Sequence, residues 1–377
     1  MNEEYTDREQ SGLKHFALHK DLEAATRIIG SSWNGFSFVD CCAGPWNSRS
    51  SDYSDTSFGI AVEVLKKSSQ SLSGRGRAPQ FRALLIEKKP KPYRKLAAFS
   101  ERDSFGDIQV EARNQDFRKY TSEIVKFVSR PPSFSFVFVD PKGWSPVKVA
   151  DLEPLLRIRP GEILINFMSS FIVRFLNRKA TNMEDILGPD YRDLRTLGHE
   201  EQEEEAVRRY CDLIRRRGDF RYVCALPVMK PDQDAIHFYL IYATRNAEGV
   251  RVFKDVEEKT EKKTAVVRAT LQQSKRANLD LFTPDVLYKR EERYRRLSAR
   301  SKMNAQQALD SLISGRGNVL YDDCWAEALQ YPTVYESDLR EWLKSREESG
   351  SIRVNGRSRP NEALKRKSNH VIVCQQH

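Results

Sequence analysis

Phe38–Trp46, FVDCCAGPW, runs an apolar stretch into a tight loop that contains a glycine. It reads as the end of a buried strand, followed by a loop that hands the chain on to a helix. A second apolar run, Ala83–Glu87 (ALLIE), ends on a carboxylate. Strand–loop–helix and then strand–acid is the order in which an open parallel sheet holds a nucleotide-like cofactor at the carboxyl ends of its strands. The interval from loop to acid exceeds the about 20 residues of the dinucleotide fingerprint, and the G-x-G-x-x-G pattern is absent. A third run, Ser133–Asp140 (SFSFVFVD), is aromatic and β-branched and ends in Asp140-Pro141, where a reacting group would sit.

Working outward, Leu13–Ile29 carries an apolar stripe at helical spacing just before the first strand, Phe36–Asp40. Asn47–Thr56 is a polar loop, Ser57–Leu65 a helix, and Ser68–Pro79 a breaker-rich surface connection. Pro92–Phe99 reads as a helix with proline near its first turn. Asp107–Arg113 is a third strand, and Phe117–Val128 and Val147–Ile158 are helical. Glu162–Phe167 is a strand, and Ser170–Leu176 and His199–Arg217 are helices with the polarity the helix dipole favours. Arg221–Met229 and Ala235–Thr244 are separated by a Pro-Asp turn too short for a parallel crossover, so one strand of this pair is reversed. The expectation is an α/β, Rossmann-like sheet of seven strands, mostly parallel with one antiparallel strand, the architecture of class I methyltransferases.

With 377 residues and 39% hydrophobic content, the chain is long enough for more than one domain. The pattern divides it at 1–247, a methyltransferase-like domain, 248–302, a charged helical connector, and 303–377. The last segment reads as three helices and two short strands flanking a basic loop, a winged helix. A formal net charge of +10 favours a polyanionic partner, DNA or RNA before an anionic membrane surface. In the winged segment Arg340, Lys344, Arg357, Arg359, Lys365, Arg366 and Lys367 are the nucleic-acid-binding candidates, although winged helices also serve as protein-docking modules. The dense basic run Lys289–Lys302 is either a phosphate-contacting arm or a solvated connector. Six cysteines show no metal-ligand spacing, so no metal is expected. The polar start, MNEEYTDREQSGLK, does not read as a secretory leader, and no apolar run suits a membrane span. A cytoplasmic protein with reduced thiols is the expectation.

The strand ends supply the chemistry. Asp40, Cys42, Ala43 and Gly44 form the first loop, where glycine lets a cofactor approach the backbone and Asp40 can orient an amino group. Glu87 ends the second strand, where a carboxylate can accept both ribose hydroxyls, and Asp116-Phe117 follow the third, suited to an adenine amino group and ring face. These residues point to S-adenosylmethionine. Asp140, Pro141, Lys142 and Trp144 follow the fourth strand: a polar acceptor for a target amine, a turn, a cation and an aromatic on which a base can stack. Asn166, closing the fifth strand, is a further candidate for the rim. Cys41 and Cys42 read as small packing residues rather than nucleophiles.

As a set, these residues resemble the three-Cys-motif partner protein (TcmP) family. The resemblance is carried by Phe38–Pro45 (FVDCCAGP), Phe138–Trp144 (FVDPKGW), Ile163–Met168 (ILINFM) and His237–Thr244 (HFYLIYAT), and it spans about residues 13–258 with a looser match in the winged segment. It implies a methyltransferase-like fold acting beside a protein with three clustered cysteines. Trp46 stands where the family usually has glycine, and Lys142 stands where amino-methylating enzymes have a second proline. Two functions stay open: an S-adenosylmethionine-dependent methyltransferase acting on a nucleic-acid exocyclic amine, and a catalytically silent fold that binds nucleic acid or a three-cysteine-motif partner. Trp46 and Lys142 favour the second, and the four strand-end acids favour the first.

Overall fold

The computed structural model describes residues 8–45, 48–130, 133–141, 147–176, 183–276, 292–359 and 362–375. Seven strands form the central sheet: β1 Gly35–Asp40, β2 Gln80–Ile86, β3 Gln109–Arg113, β4 Phe134–Val139, β5 Gly161–Phe167, β6 Tyr222–Met229 and β7 Ile236–Thr244. Their order is β3-β2-β1-β4-β5-β7-β6. β1 lies in the middle, parallel to β2 and β4, while β7 runs antiparallel to both β5 and β6. This is the Rossmann-like sheet of class I methyltransferases, with the single reversed strand where the short Pro-Asp turn requires it.

Helices cover both faces, which is why β1 and β4 read as unbroken apolar runs and are buried at every residue. One face carries α1 Glu9–Ser32, α2 Ser57–Ser73, α3 Pro90–Ser100 and α9 Ala247–Arg276, packed on Phe36, Phe38, Phe136 and Tyr242. The other carries α4 Thr121–Val128, α5 Val149–Leu156, α6 Ser169–Leu176, α7 Glu184–Leu187 and α8 His199–Gly218, packed on Val39, Val137, Ile165 and Ile241. The two lists alternate along each strand, as a pleat demands.

Two sequence expectations are corrected here and one is extended. The surface connection expected from Ser68 is helical to Ser73, because Leu72 is buried against the core and draws the polar segment into α2. The charged segment after residue 247 is helical, as expected of a helical connector, but it also joins the core: α9 buries Val250, Phe253 and Val256 in the cluster that α1 shares. The basic run is no phosphate arm over its described part, since α10 Glu292–Arg316 turns Arg293, Arg296 and Arg300 onto Glu200, Glu203 and Glu204 of α8. The division at 302/303 therefore falls inside one continuous helix.

After α10 come β8 Asn318–Leu320, α11 Tyr321–Ala328, α12 Glu336–Glu348, β9 Ile352–Asn355 and β10 Val371–Cys374. The three strands pair antiparallel in the order β8-β10-β9, with Ile372 opposite both Val319 and Val354. β8 is too short to leave an alternation in the sequence. A buried ion pair ties this unit to α9: Lys254 meets Glu257 and donates to the Tyr331 carbonyl (3.1 Å), while Glu257 accepts the Thr333 N–H (2.8 Å).

Candidate functional site

A cavity of about 540 Å³ opens at the carboxyl ends of β1, β2, β4 and β5 and just beyond β3. Parallel strands deliver their C-terminal residues to one edge, so the sheet order alone brings Cys42, Gly44, Glu87, Asp116, Phe117, Asp140, Pro141 and Asn166 to one wall. The N-terminal turns of α1 cross above and add Arg8, Lys14 and His15. Lys142, Trp144 and Trp46 lie outside the described residues.

Asp40 and Ala43 are fully buried beneath the loop and do not line the cavity. The Asp40 carboxylate folds back on its own turn, accepting the Cys42 N–H (2.9 Å) and the Ser57 hydroxyl (2.6 Å). It joins loop to helix, which corrects the expectation that it reaches a cofactor amino group. Burial pushes its pKa up to about 7 against these two hydrogen bonds. Cys41 and Cys42 are raised well above the thiol range by burial, so both stay protonated and neither is a nucleophile.

Glu87 is almost wholly buried yet lines the cavity, and one of its oxygens accepts the Lys89 N–H (2.7 Å). The other takes no hydrogen bond from the described residues, which leaves an acceptor at the end of β2. Phe117 is buried and, next to Asp116, lines the cavity. Asp116 is already engaged by Arg118, through Nε (2.9 Å) and Nη2 (2.5 Å), and this pair pulls its pKa down. An adenine amino group would compete with that guanidinium.

At the β4 and β5 tips, Lys14 Nζ lies 2.5 Å from Asp140 Oδ2, and Asn166 Nδ2 donates to Asp140 Oδ1 (2.6 Å). Both Asp140 oxygens therefore have partners. Asn166 is 4% exposed and lines the cavity, while its Oδ1 is sealed from solvent without a hydrogen-bond partner among the described residues. A buried carbonyl without a donor costs about 1–3 kcal/mol. His15 is lowered to about 3, first by burial and then by the charge on Lys14, and is neutral. Sequence reasoning missed Lys14, His15 and Arg8, because nothing in an amphipathic helix announces that its first turns will cross the strand tips.

The C-terminal candidates divide. Arg357 is held by both oxygens of Glu347 (2.8 Å each). Arg366 stacks 4.2 Å over the buried Trp325 ring and pairs with Glu248 (3.3 Å). These two are therefore already engaged within the fold. Arg340 pairs with Glu336 and Lys344 with Glu348 along α12. Arg359, Lys365 and Lys367 are exposed.

Among the described residues no His, Cys, Asp and Glu cluster forms a metal site, and none of their helices is long and apolar enough to cross a membrane. No protein-family model and no curated protein matches the chain. Solved structures similar to it include protein LPL1258 from Legionella pneumophila str. Philadelphia 1, of family DUF519, at 10% identity and a TM-score of 0.35, covering 61% of this chain and 84% of that one. Another is a loganic acid methyltransferase with SAH, at 10% identity and a TM-score of 0.32, covering 71% of this chain and 90% of that one. Both likenesses are too remote to bear on what this chain binds.

Proposed function

We propose that the chain is an S-adenosylmethionine-dependent methyltransferase whose acceptor is an exocyclic amine of nucleic acid. One observation carries the cofactor half. Glu87, Asp116-Phe117 and Asp140-Pro141, three motifs far apart in sequence, meet with Cys42 and Gly44 around a single cavity of about 540 Å³, within the usual range for a ligand pocket. The cofactor would supply a methyl group on a sulfonium. Gly44 admits it to the loop, Glu87 offers an open acceptor to ribose hydroxyls, and Phe117 offers an apolar wall to a base. Opposite them, Asp140 and Asn166 form the acceptor side, with Lys14 fixing Asp140.

The substrate half rests on the +10 net charge and on amine-directed polarity at the β4 tip. A winged helix is the natural reading of the α10–β8–α11–α12–β9–β10 order, and kinship with the TcmP family belongs to the same proposal. Cofactor titration, followed by labelled methyl transfer to DNA and RNA pools, tests both halves. Cofactor binding with label in one pool is the expected result; no cofactor binding defeats the enzyme reading.

A second reading has its own support. α12, the helix a winged module would lay in a groove, carries five acids (Glu336, Asp338, Glu341, Glu347, Glu348) against three bases (Arg340, Lys344, Arg346). That surface suits a protein partner, such as the three-cysteine-motif protein the sequence resemblance implies, better than a polyanion.

A further inference from the structure

The cations that matter for a polyanion are those without an acid at hand. The segment Lys88–Ser100 (KKPKPYRKLAAFS) contains Lys88, Lys89, Lys91, Arg94 and Lys95 and no acidic residue. All five are exposed. Lys88, Lys91, Arg94 and Lys95 make no ion pair with any described residue, unlike Arg357, Arg366, Arg340 and Lys344.

Local structure arranges them. Pro90 starts α3 with its φ already helical. Leu96 and Phe99 are the positions α3 buries, so the helix lies on the core by that side. Lys91, Arg94 and Lys95 stand at i, i+3 and i+4 and are all exposed, Arg94 opposite the buried side and Lys95, four residues before Phe99, at its margin. Lys91 and Lys95 are roughly 6 Å apart along the helix axis, about the reach of two phosphates at about 3.4 Å per nucleotide. Lys88 and Lys89, just before the helix, line the mouth of the cavity beside Glu87. The charged face is thus continuous with the site.

We propose that the exposed face of α3 holds the phosphate backbone of nucleic acid beside the cavity mouth. This rests on the nucleic-acid reading above and assigns the surface that would serve it. Contacts of this kind act by releasing counterions, which leaves a measurable signature in salt.

The experiment titrates labelled single-stranded DNA and RNA of mixed sequence with the full chain over a range of salt, by fluorescence anisotropy. Lys91→Gln/Arg94→Gln/Lys95→Gln is compared with Arg359→Gln/Lys365→Gln/Lys367→Gln. The α3 variant should lose at least tenfold in affinity at low salt, and its log–log salt slope should fall by about 2, at about 0.7 per lost single-strand contact. The C-terminal variant should keep the wild-type slope. A charge-retaining variant, Lys91→Arg/Arg94→Lys/Lys95→Arg, should retain binding, which separates lost contacts from damaged folding. Wild-type slopes in the α3 variant, with binding intact, overturn the surface and leave the methyltransferase reading standing. Failure of the wild-type chain to bind either strand overturns both the surface and the substrate class.

Discussion

Asp40→Asn isolates the one carboxylate that ties the first loop to α2. Asparagine keeps an oxygen for the Cys42 N–H and offers Nδ2 to the Ser57 hydroxyl, so the local hydrogen bonds survive while the titration disappears. Asp40 rises from the ordinary 3.8 to about 7 because burial disfavours its charge. A raised carboxyl contributes stability that is complete below about pH 4 and is lost as pH climbs through about 7. At about 1.4 kcal/mol per tenfold, that loss is on the order of 4 kcal/mol. His15 opposes it: its pKa is lowered from 6.5 to about 3, so its contribution is present above about 6.5 and lost as pH falls through about 3. The two trends nearly cancel in the wild-type curve between about pH 4 and 6.5, so only the difference between variant and wild type isolates Asp40. In urea denaturation across pH, the stability of Asp40→Asn relative to wild type should stay within about 1 kcal/mol near pH 4. It should then rise by on the order of 4 kcal/mol toward about pH 8, with unchanged m-values. A flat difference curve would refute a buried, titrating Asp40.

Glu87→Ala should weaken S-adenosylmethionine binding at least tenfold with the fold intact, since charge-assisted hydrogen bonds contribute about 1.5–3 kcal/mol each; equal affinities by calorimetry would remove the ribose assignment. Arg293 is buried against Glu203 (3.0 Å) and Glu204 (2.5 Å), so Arg293→Met should cost about 3–5 kcal/mol by stranding Glu203, read from the denaturant midpoint. Adding Glu203→Gln should recover part of that loss, and strict additivity of the two changes would show that the pair is not coupled. Asn166→Ala removes the amide that donates to Asp140 Oδ1 (2.6 Å), so it should leave cofactor affinity within about twofold but reduce methyl transfer by about 10² if Asp140 must be held in position; full activity shows that it need not be.

Strand identity was legible because a strand buried on both faces must be apolar throughout, and FSFVD, ALLI, SFSFVFV and EILINF satisfy that without competition from helical periodicity. Once those strands are parallel and ordered, their last residues must share an edge, so Glu87, Asp116, Asp140 and Asn166 could be grouped without coordinates. Side-chain direction was not legible. Whether Asp40 points into the cavity or back onto its own turn is decided by the Ser57 hydroxyl, 17 residues away and delivered by the start of α2. The same limit applies to charge: Arg357 and Lys91 look alike in sequence, and only packing gives one a glutamate and the other open water.

The Lys14–Asp140–Asn166 arrangement bears on how the two halves of the site are kept apart. An isolated carboxylate at the β4 tip would attract any cation, including the sulfonium of the proposed cofactor, and would be costly to bury. With Lys14 on one oxygen and the Asn166 amide on the other, Asp140 is compensated while half-hidden, and the charge left at the strand tips is small. With both its oxygens taken, Asp140 presents a compensated group to the proposed amine rather than a bare charge, and the open carboxylate oxygen of the wall is that of Glu87 at the β2 tip. The charge at the β4 tip is thus set by Lys14, carried by a helix that no motif singles out, as much as by the aspartate it covers.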